Sequence, residues 1–203
     1  MKIVVIVEGA TETAFKEKLS EFIATRLGGK TPPKLNFVGQ GGRIPTGKNL
    51  QKVVENLLSG KQAADAVIAL TDVYTGTNEF SNAADAKAKM RNWVGPNLKF
   101  HAHAAQHDFE AWLLPFWDTI QQLAGHNKAK PSGSPEDVNH DKPPAYRIKE
   151  IFEVGKCRDS YKKPRDGKRI LKDNKLIVAA QACPELKAFL NTILSLCGGE
   201  LIA

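Results

Sequence analysis

The chain is short of three things, and each shortage excludes something. It has three cysteines, Cys157, Cys183 and Cys197, and no CxxC pair. A scattered, odd-numbered set argues against a disulfide framework and a cysteine zinc site, and suits a reducing cytosol. No apolar run approaches the length of a membrane span, and the first one, Ile3–Val7, is too short for a signal-peptide core and stops at Glu8. A cytoplasmic protein without a membrane role is expected. Most of the chain also lacks any charge excess. Residues Lys142–Lys175 hold 12 Lys and Arg against 5 Asp and Glu, while the remainder has 17 of each sign. The net charge of +7 therefore belongs to one stretch. A local basic surface attracts polyanions, nucleic acid above all. A solvated helical face accounts for a run of this density equally well.

What is present is an α/β pattern. The 203 residues suffice for one sizeable core. Ile3–Val7 reads as a strand buried on both faces, and Phe15, Leu19, Phe22 and Ile23 follow it at helical spacing. Further strands are expected at Lys34–Val38, Ala66–Leu70 and Leu98–Ala104. Helices are expected after each: one with the stripe Leu50, Val53, Val54, Leu57, Leu58, one around Ala83–Trp93, and one faced by Phe109, Trp112, Leu113 and Phe116. The first helix should stop near Gly28-Gly29. Four alternations of strand and helix predict a mostly parallel central sheet flanked by helices. Gly125–Ala145 reads as a loop or mobile insertion, and a final helix opens at Pro184. The expected layout is one domain over 1–203, with an α/β core at 1–124, an insertion at 125–145 and a helical part at 146–203.

Three expected strand ends carry acids: Glu8 with Glu12, Asp72, and Asp108 with Glu110. In a parallel sheet these ends share one edge, where ligands of open α/β sheets bind. Carboxylates gathered there repel each other unless a cation joins them. Mg²⁺ (or Mn²⁺) takes hard oxygen ligands and keeps positions for phosphate oxygens. Each acid also has a plainer explanation. Glu12 suits the first turn of a helix dipole, with Thr11 as its N-cap, Asp108 suits a helix cap, and Asp72 a turn. Glu8 is the least easily explained that way. Asp108 and Glu110, two apart on a regular helix, point away from each other, which favours Glu110 as the ligand and leaves Asp108 a capping or supporting role.

Two other patterns compete. Gly42–Lys48, followed by Asn49, nearly matches a P-loop, but Asn49 lacks the metal-binding hydroxyl and Pro45 removes an amide. We read it as a loop that touches phosphate, with Arg43 and Lys48 as its cations. His101 and His103 fall on one face of a strand, as packing residues, and His107 stands beside the acids, where proton transfer or substrate contact is open to it.

Glu-Gly-x-Thr-Glu after a first strand, Asp-x-Tyr after a later one and His-x-Phe-Glu-Ala after another together resemble a TOPRIM-like family, domain of unknown function 4276. The glycine-rich loop, Gly167-Lys168-Arg169 and Cys183-Pro184 extend the resemblance over almost the whole chain. It implies a TOPRIM-like (Rossmann-like) fold with a helical C-terminal part, and a Mg²⁺-dependent acidic site related to nucleases. Glu8 takes the family's glutamate role, as general acid/base or metal ligand, and Asp72 the first aspartate of an Asp-x-Asp pair. Tyr74 stands where the second aspartate belongs, so Glu110 or Asp108 would have to replace it. Lys168 and Arg169 are the implied phosphate contacts. Relatives lie beside ATPases in mobile-element defence loci, which implies an ATPase partner. Three functions follow: Mg²⁺-dependent phosphodiester cleavage in nucleic acid, non-catalytic binding of nucleic acid or an ATPase, and nucleotide hydrolysis at the P-loop-like segment.

Overall fold

A computed structural model describes residues 1–74, 76–138, 142–155 and 160–203. Cys157 with the rest of residues 156–159, Thr75 of the loop before the third helix, and residues 139–141 of the expected insertion lie outside the described residues.

Strands β1 (Lys2–Val7), β2 (Lys34–Gly39), β3 (Ala66–Asp72) and β4 (Phe100–Ala105) form one parallel sheet in the order β2-β1-β3-β4. The central pair aligns Ile3 with Ala66 and Ile6 with Ala69. Both central strands are covered on both faces, which is why they read as unbroken apolar runs. Ile3, Val5, Val7, Ile68 and Leu70 point to one core. Val4, Ile6, Val67 and Ala69 point to the other.

Helices α2 (Gly47–Leu58) and α3 (Ala83–Val94) cover the second face. Helix α1 (Ala10–Thr25) covers the first. Everything after β4 joins α1: a 3-10 segment (Phe109–Phe116), α4 (Trp117–Ala124), α5 (Pro144–Val154), α6 (Lys163–Lys172), α7 (Leu176–Ala182) and α8 (Pro184–Cys197). The helical C-terminal part thus thickens one layer. Rings from three of its elements lock together. Phe15 lies 5.5 Å from Phe109, Phe109 5.4 Å from Trp112, and Trp112 stacks on Phe189 at 5.9 Å.

Several expected boundaries move. Helix α1 ends at Thr25, and Gly28 and Gly29 form the following turn at positive φ. Gly9 is the N-cap, not Thr11, and Glu12 at N3 accepts from the Gly9 amide at 3.2 Å. β3 runs through Asp72, so that acid ends a strand instead of following it. β4 starts at Phe100, because Gly95 turns the chain at φ 79° and leaves Leu98 exposed. The segment from Phe109 is a 3-10 helix containing Pro115, whose missing amide disfavours a regular α-helical turn. The expected insertion is partly built in. Pro135–Asp137 forms a 3-10 turn with Glu136 buried, and α5 already begins at Pro144. Trp112 Nε1 and the Glu185 amide both donate to Glu136, tying that turn to the core and to the start of α8.

Candidate functional site

The carboxyl ends of β1, β3 and β4 meet at one rim, as parallel strands require. Glu8 leaves β1 almost fully buried. Its Oε1 accepts from Thr71 Oγ1 at 2.5 Å and from the Asp72 amide at 3.0 Å. Glu8 is therefore held against the end of the neighbouring strand. After β4 the chain turns at His107, a buried residue at φ 69°, and runs into Asp108 and Glu110. The His107 carbonyl accepts from the Tyr74 amide at 2.6 Å, which joins the loops after β3 and β4.

Five acids then share one electrostatic neighbourhood. Asp72 is raised well above the ordinary aspartate value, by burial first and then by the charges of Glu8, Glu12, Asp108 and Glu110. Burial raises Glu8 too, against the bonds from Thr71 and Asp72; Glu12 adds to the rise and Arg43 opposes it. Glu12 is raised by burial and by Glu110. Burial, then Glu110, pushes Asp108 up to about 7. Glu12 doubles as the N3 cap of α1, so the capping and site roles coincide.

The two acids of the 109 segment have different surroundings. Asp108 stands at the N-cap position of the 3-10 segment without a side-chain cap hydrogen bond. Its Oδ2 accepts from the Ala145 amide, in the first turn of α5, at 3.1 Å, and its buried Oδ1 has no hydrogen-bond partner among the described residues. Glu110, 0 % exposed, has both oxygens engaged: Tyr161 Oη donates to one at 3.2 Å and Lys163 Nζ to the other at 3.1 Å. Burial opposes the Lys163 charge, but Glu110, Asp108 and Asp72 outweigh it and raise the ammonium pKa. Burial and Glu110 likewise raise the Tyr161 phenol.

Lys163 and Tyr161 were not among the residues singled out in the sequence. They belong to the basic stretch, where nothing distinguishes one lysine from the next. Only the docking of α6 on α1 brings Lys163 to the acids. The stretch spends much of its charge internally. Asp166, 0 % exposed, takes Arg165 at 2.9 Å and Arg169 at 3.1 Å. Lys168 pairs with exposed Glu17 at 2.7 Å. Gly167 is buried and faces inward, where a Cβ would make ordinary contact with Thr11 and Leu113 at 3.8 Å. The Asp166–Arg169 pair, three apart in sequence, was a readable signal for this clamp.

The glycine loop folds back on the same rim. The Gly42 amide donates to the Glu8 carbonyl at 2.8 Å. Arg43 is exposed, and its charge reaches Glu8. Lys48 is exposed in the first turn of α2, and the loop follows edge strand β2. Tyr74 is 46 % exposed beside the rim. His103 packs against Phe189 and meets Thr192 Oγ1 at 3.0 Å, as a core histidine does.

The rim's acidic donors are all oxygen, crowded with negative charge, and include one buried carboxylate oxygen without a partner among the described residues. That chemistry suits a hard divalent ion. Among the described residues, no group of three or more His, Cys, Asp or Glu side chains is arranged to hold a metal ion as it stands. The engagement of Glu110 by Lys163 and Tyr161 contributes to this.

The chain matches the family described as Domain of unknown function (DUF4276) over residues 7–194. No curated protein matches it in sequence. Among solved structures, it is similar to the C-terminal region of the Burkholderia pseudomallei OLD protein, with TM-score 0.53 and 11% identity over 96% of this chain and 98% of that one. It is also similar to the C-terminal region of the Xanthomonas campestris pv. campestris OLD protein, with TM-score 0.46 and 13% identity over 97% and 95%. The first likeness is one of fold, a TOPRIM-like α/β arrangement. No helix among the described residues is long and apolar enough to cross a membrane.

Proposed function

The chain belongs to the DUF4276 family, and on that footing we propose that it cleaves phosphodiesters in nucleic acid with a divalent metal held at the acidic rim. The observation that carries this reading is the gathering of Glu8, Glu12, Asp72, Asp108 and Glu110 at one sheet edge, where burial first and neighbouring carboxylates second raise the pKa values of Glu8, Glu12, Asp72 and Asp108, with Lys163 as the adjoining cation. Structural acids are normally paired; a crowd of unpaired ones marks a site. Glu8, Asp72 and Asp108 are the ligands we assign, with Glu110 joining them if it leaves Lys163. The ion would polarise the phosphoryl group and lower the pKa of an attacking water. Glu8, tied to Thr71, serves either as one of these ligands or as the group that moves a proton. Lys163 offers its ammonium to a phosphate oxygen. Arg43 and Lys48 border the rim from the glycine loop and suit the flanking backbone. The resemblance adds an ATPase partner and a role in mobile-element defence.

A second reading, non-catalytic binding of nucleic acid or an ATPase by the same rim, is favoured by Tyr74 in place of a second aspartate and by the Lys163–Glu110 pair. Cleavage assays with Mn²⁺ and Mg²⁺ on single- and double-stranded DNA and RNA separate the two. Wild type should cut at least one substrate, and Glu8→Gln should bind it but not cut it. Absence of cleavage in wild type with every metal and substrate leaves the binding module. Metal at a hundredfold excess over Kd should also stabilise the fold by about 2.7 kcal/mol. A melting curve that no divalent metal moves removes the metal site from both readings.

A further inference from the structure

Lys163 is the first residue of α6, with Lys162 at the N-cap before it and Pro164 after it. That is the positive end of the helix dipole, where an acid is favoured and a lysine is not. Its ammonium is drawn instead into the acidic rim, where Nζ lies 3.1 Å from Glu110 Oε2. Asp108 and Asp72 act on the same charge, and the Lys163 charge in turn opposes the raising of Asp108 and Glu12. The ammonium therefore stands within the group of carboxylates that the rim offers to a divalent ion. Two cations in one such group repel each other, so each weakens the hold of the other.

The two halves of this ion pair differ in freedom. The Glu110 side chain is fully buried, whereas that of Lys163 is 48% exposed. Tyr161 Oη donates to the other Glu110 oxygen, Oε1, at 3.2 Å, and the Tyr161 ring packs against Phe152 at 5.5 Å. The carboxylate is thus anchored by a partner that belongs to the core. A lysine ammonium, by contrast, is a compact charge on a flexible stem. Lys163 can turn to water, and Glu110 cannot follow it. Tyr161 then keeps Oε1, while Oε2 is left without its cation. Two residues away, Asp108 Oδ1 is already buried without a hydrogen-bond partner among the described residues.

Building on the metal-site reading of the rim, we propose that Lys163 competes with the divalent ion for Glu110. While the pair is closed, Glu110 stays out of the metal's ligand set and the ion has Glu8, Asp72 and Asp108. Release of Lys163 adds Glu110 to them. Lys163 is then a positioning residue for the metal as well as a phosphate contact. The two roles follow one another: an ammonium that moves to a substrate phosphate frees Glu110 in the same movement. Tyr161 serves both states, because it holds Glu110 in place whichever cation the carboxylate faces.

Mn²⁺ titrated into the full-length protein, with the free ion read by electron paramagnetic resonance, tests this without any cleavage. Lys163→Met should bind Mn²⁺ roughly tenfold to a hundredfold more tightly than wild type, the fold-change that a hydrogen bond to a charged group represents. Lys162→Met removes an equal charge from the exposed neighbouring position and should change the affinity by less than about threefold. Adding Glu110→Gln to Lys163→Met should reverse the gain, because Glu110 is the ligand that was released. A cooperative melting curve checks that each variant folds, and the comparison with Lys162→Met does not depend on the buried Glu110 substitution. Equal Mn²⁺ affinity in wild type and Lys163→Met overturns the competition and leaves the metal site in place. An equal gain in Lys162→Met, or a gain that survives Glu110→Gln, also overturns it, since either is a general effect of charge. Absence of Mn²⁺ binding in both wild type and Lys163→Met removes the metal site itself, and the competition with it.

Discussion

Asp166 and Asp108 are both buried carboxylates on the same side of the sheet, at 0 % and 3 % exposure, and they have opposite electrostatics. Asp166 receives Arg165, Arg169 and the Lys162 amide. Burial works against its charge, but these partners outweigh it and hold the carboxyl below the ordinary range. Asp108 receives the Ala145 amide, has one oxygen without a hydrogen-bond partner among the described residues, and is pushed up to about 7 by burial and Glu110. Burial alone therefore does not decide protonation; the supply of positive partners does. Twelve cations stand in the stretch that delivers α6. Two arginines are committed to Asp166 and one lysine to Glu110, while Asp72 and Asp108 stay undercompensated. Acids kept short of counter-charge next to available lysines and arginines are what a cation site needs and what a structural clamp avoids.

Removing Asp166 should give the largest change in stability. Asp166→Asn leaves two arginines without their carboxylate and should cost about 2–3 kcal/mol in urea unfolding. That is below the roughly 3–5 kcal/mol of a fully buried pair, because both arginines keep about half their side-chain surface in water. A change under about 0.5 kcal/mol would mean that the clamp contributes little beyond a surface pair.

Asp108→Asn should move stability the other way, by on the order of 2 kcal/mol at pH 8 without metal. Asparagine keeps an acceptor for the Ala145 amide and drops the charge. The two aspartates also differ in sign against pH. The Asp108 value of about 7 lies above its ordinary 3.8, so the folded state holds the extra proton over that interval. Its contribution is present below about pH 4 and lost as pH rises through about 7. Asp166, depressed, contributes above its ordinary 3.8 and loses this as pH falls through its folded value. Unfolding curves of wild type and Asp108→Asn should therefore coincide near pH 4 and separate by pH 8, and saturating Mn²⁺ should close or reverse the gap. Identical curves at pH 8 would show that Asp108 is not strained by its charge.

Lys168→Ala should have the smallest effect. Its partner Glu17 is 76% exposed, so stability should change by under about 0.5 kcal/mol. If Lys168 also meets a phosphate, the slope of log binding against log salt should fall by about 1. An unchanged slope would mean that this part of the basic stretch is only a solvated face.

The rim was legible in the sequence because it depends on local rules. β1 and β3 announce themselves as unbroken apolar runs, and parallel strands must end on a common edge. Glu8, Asp72 and the Asp108–Glu110 pair could be placed together from that alone. The preference for Glu110 over Asp108 rested on regular helical spacing, whereas the chain adopts a 3-10 segment entered through His107 at positive φ. Periodicity does not reveal that departure.

The remainder was decided by contacts between residues far apart in the chain. Glu110 meets Lys163 across 53 positions, Asp108 meets Ala145 across 37, and Lys87 meets Glu185 across 98. Lys168 and Arg169 were the implied phosphate contacts, and the packing of α6 pairs them with Glu17 and Asp166. Sequence by itself determined the strands, their parallel order of ends and which acids lie there, because hydrophobic period and chain connectivity are local properties. Tertiary structure alone decided which of those acids receive a counter-charge, because a lysine or arginine acquires its partner only when helices dock and exclude water.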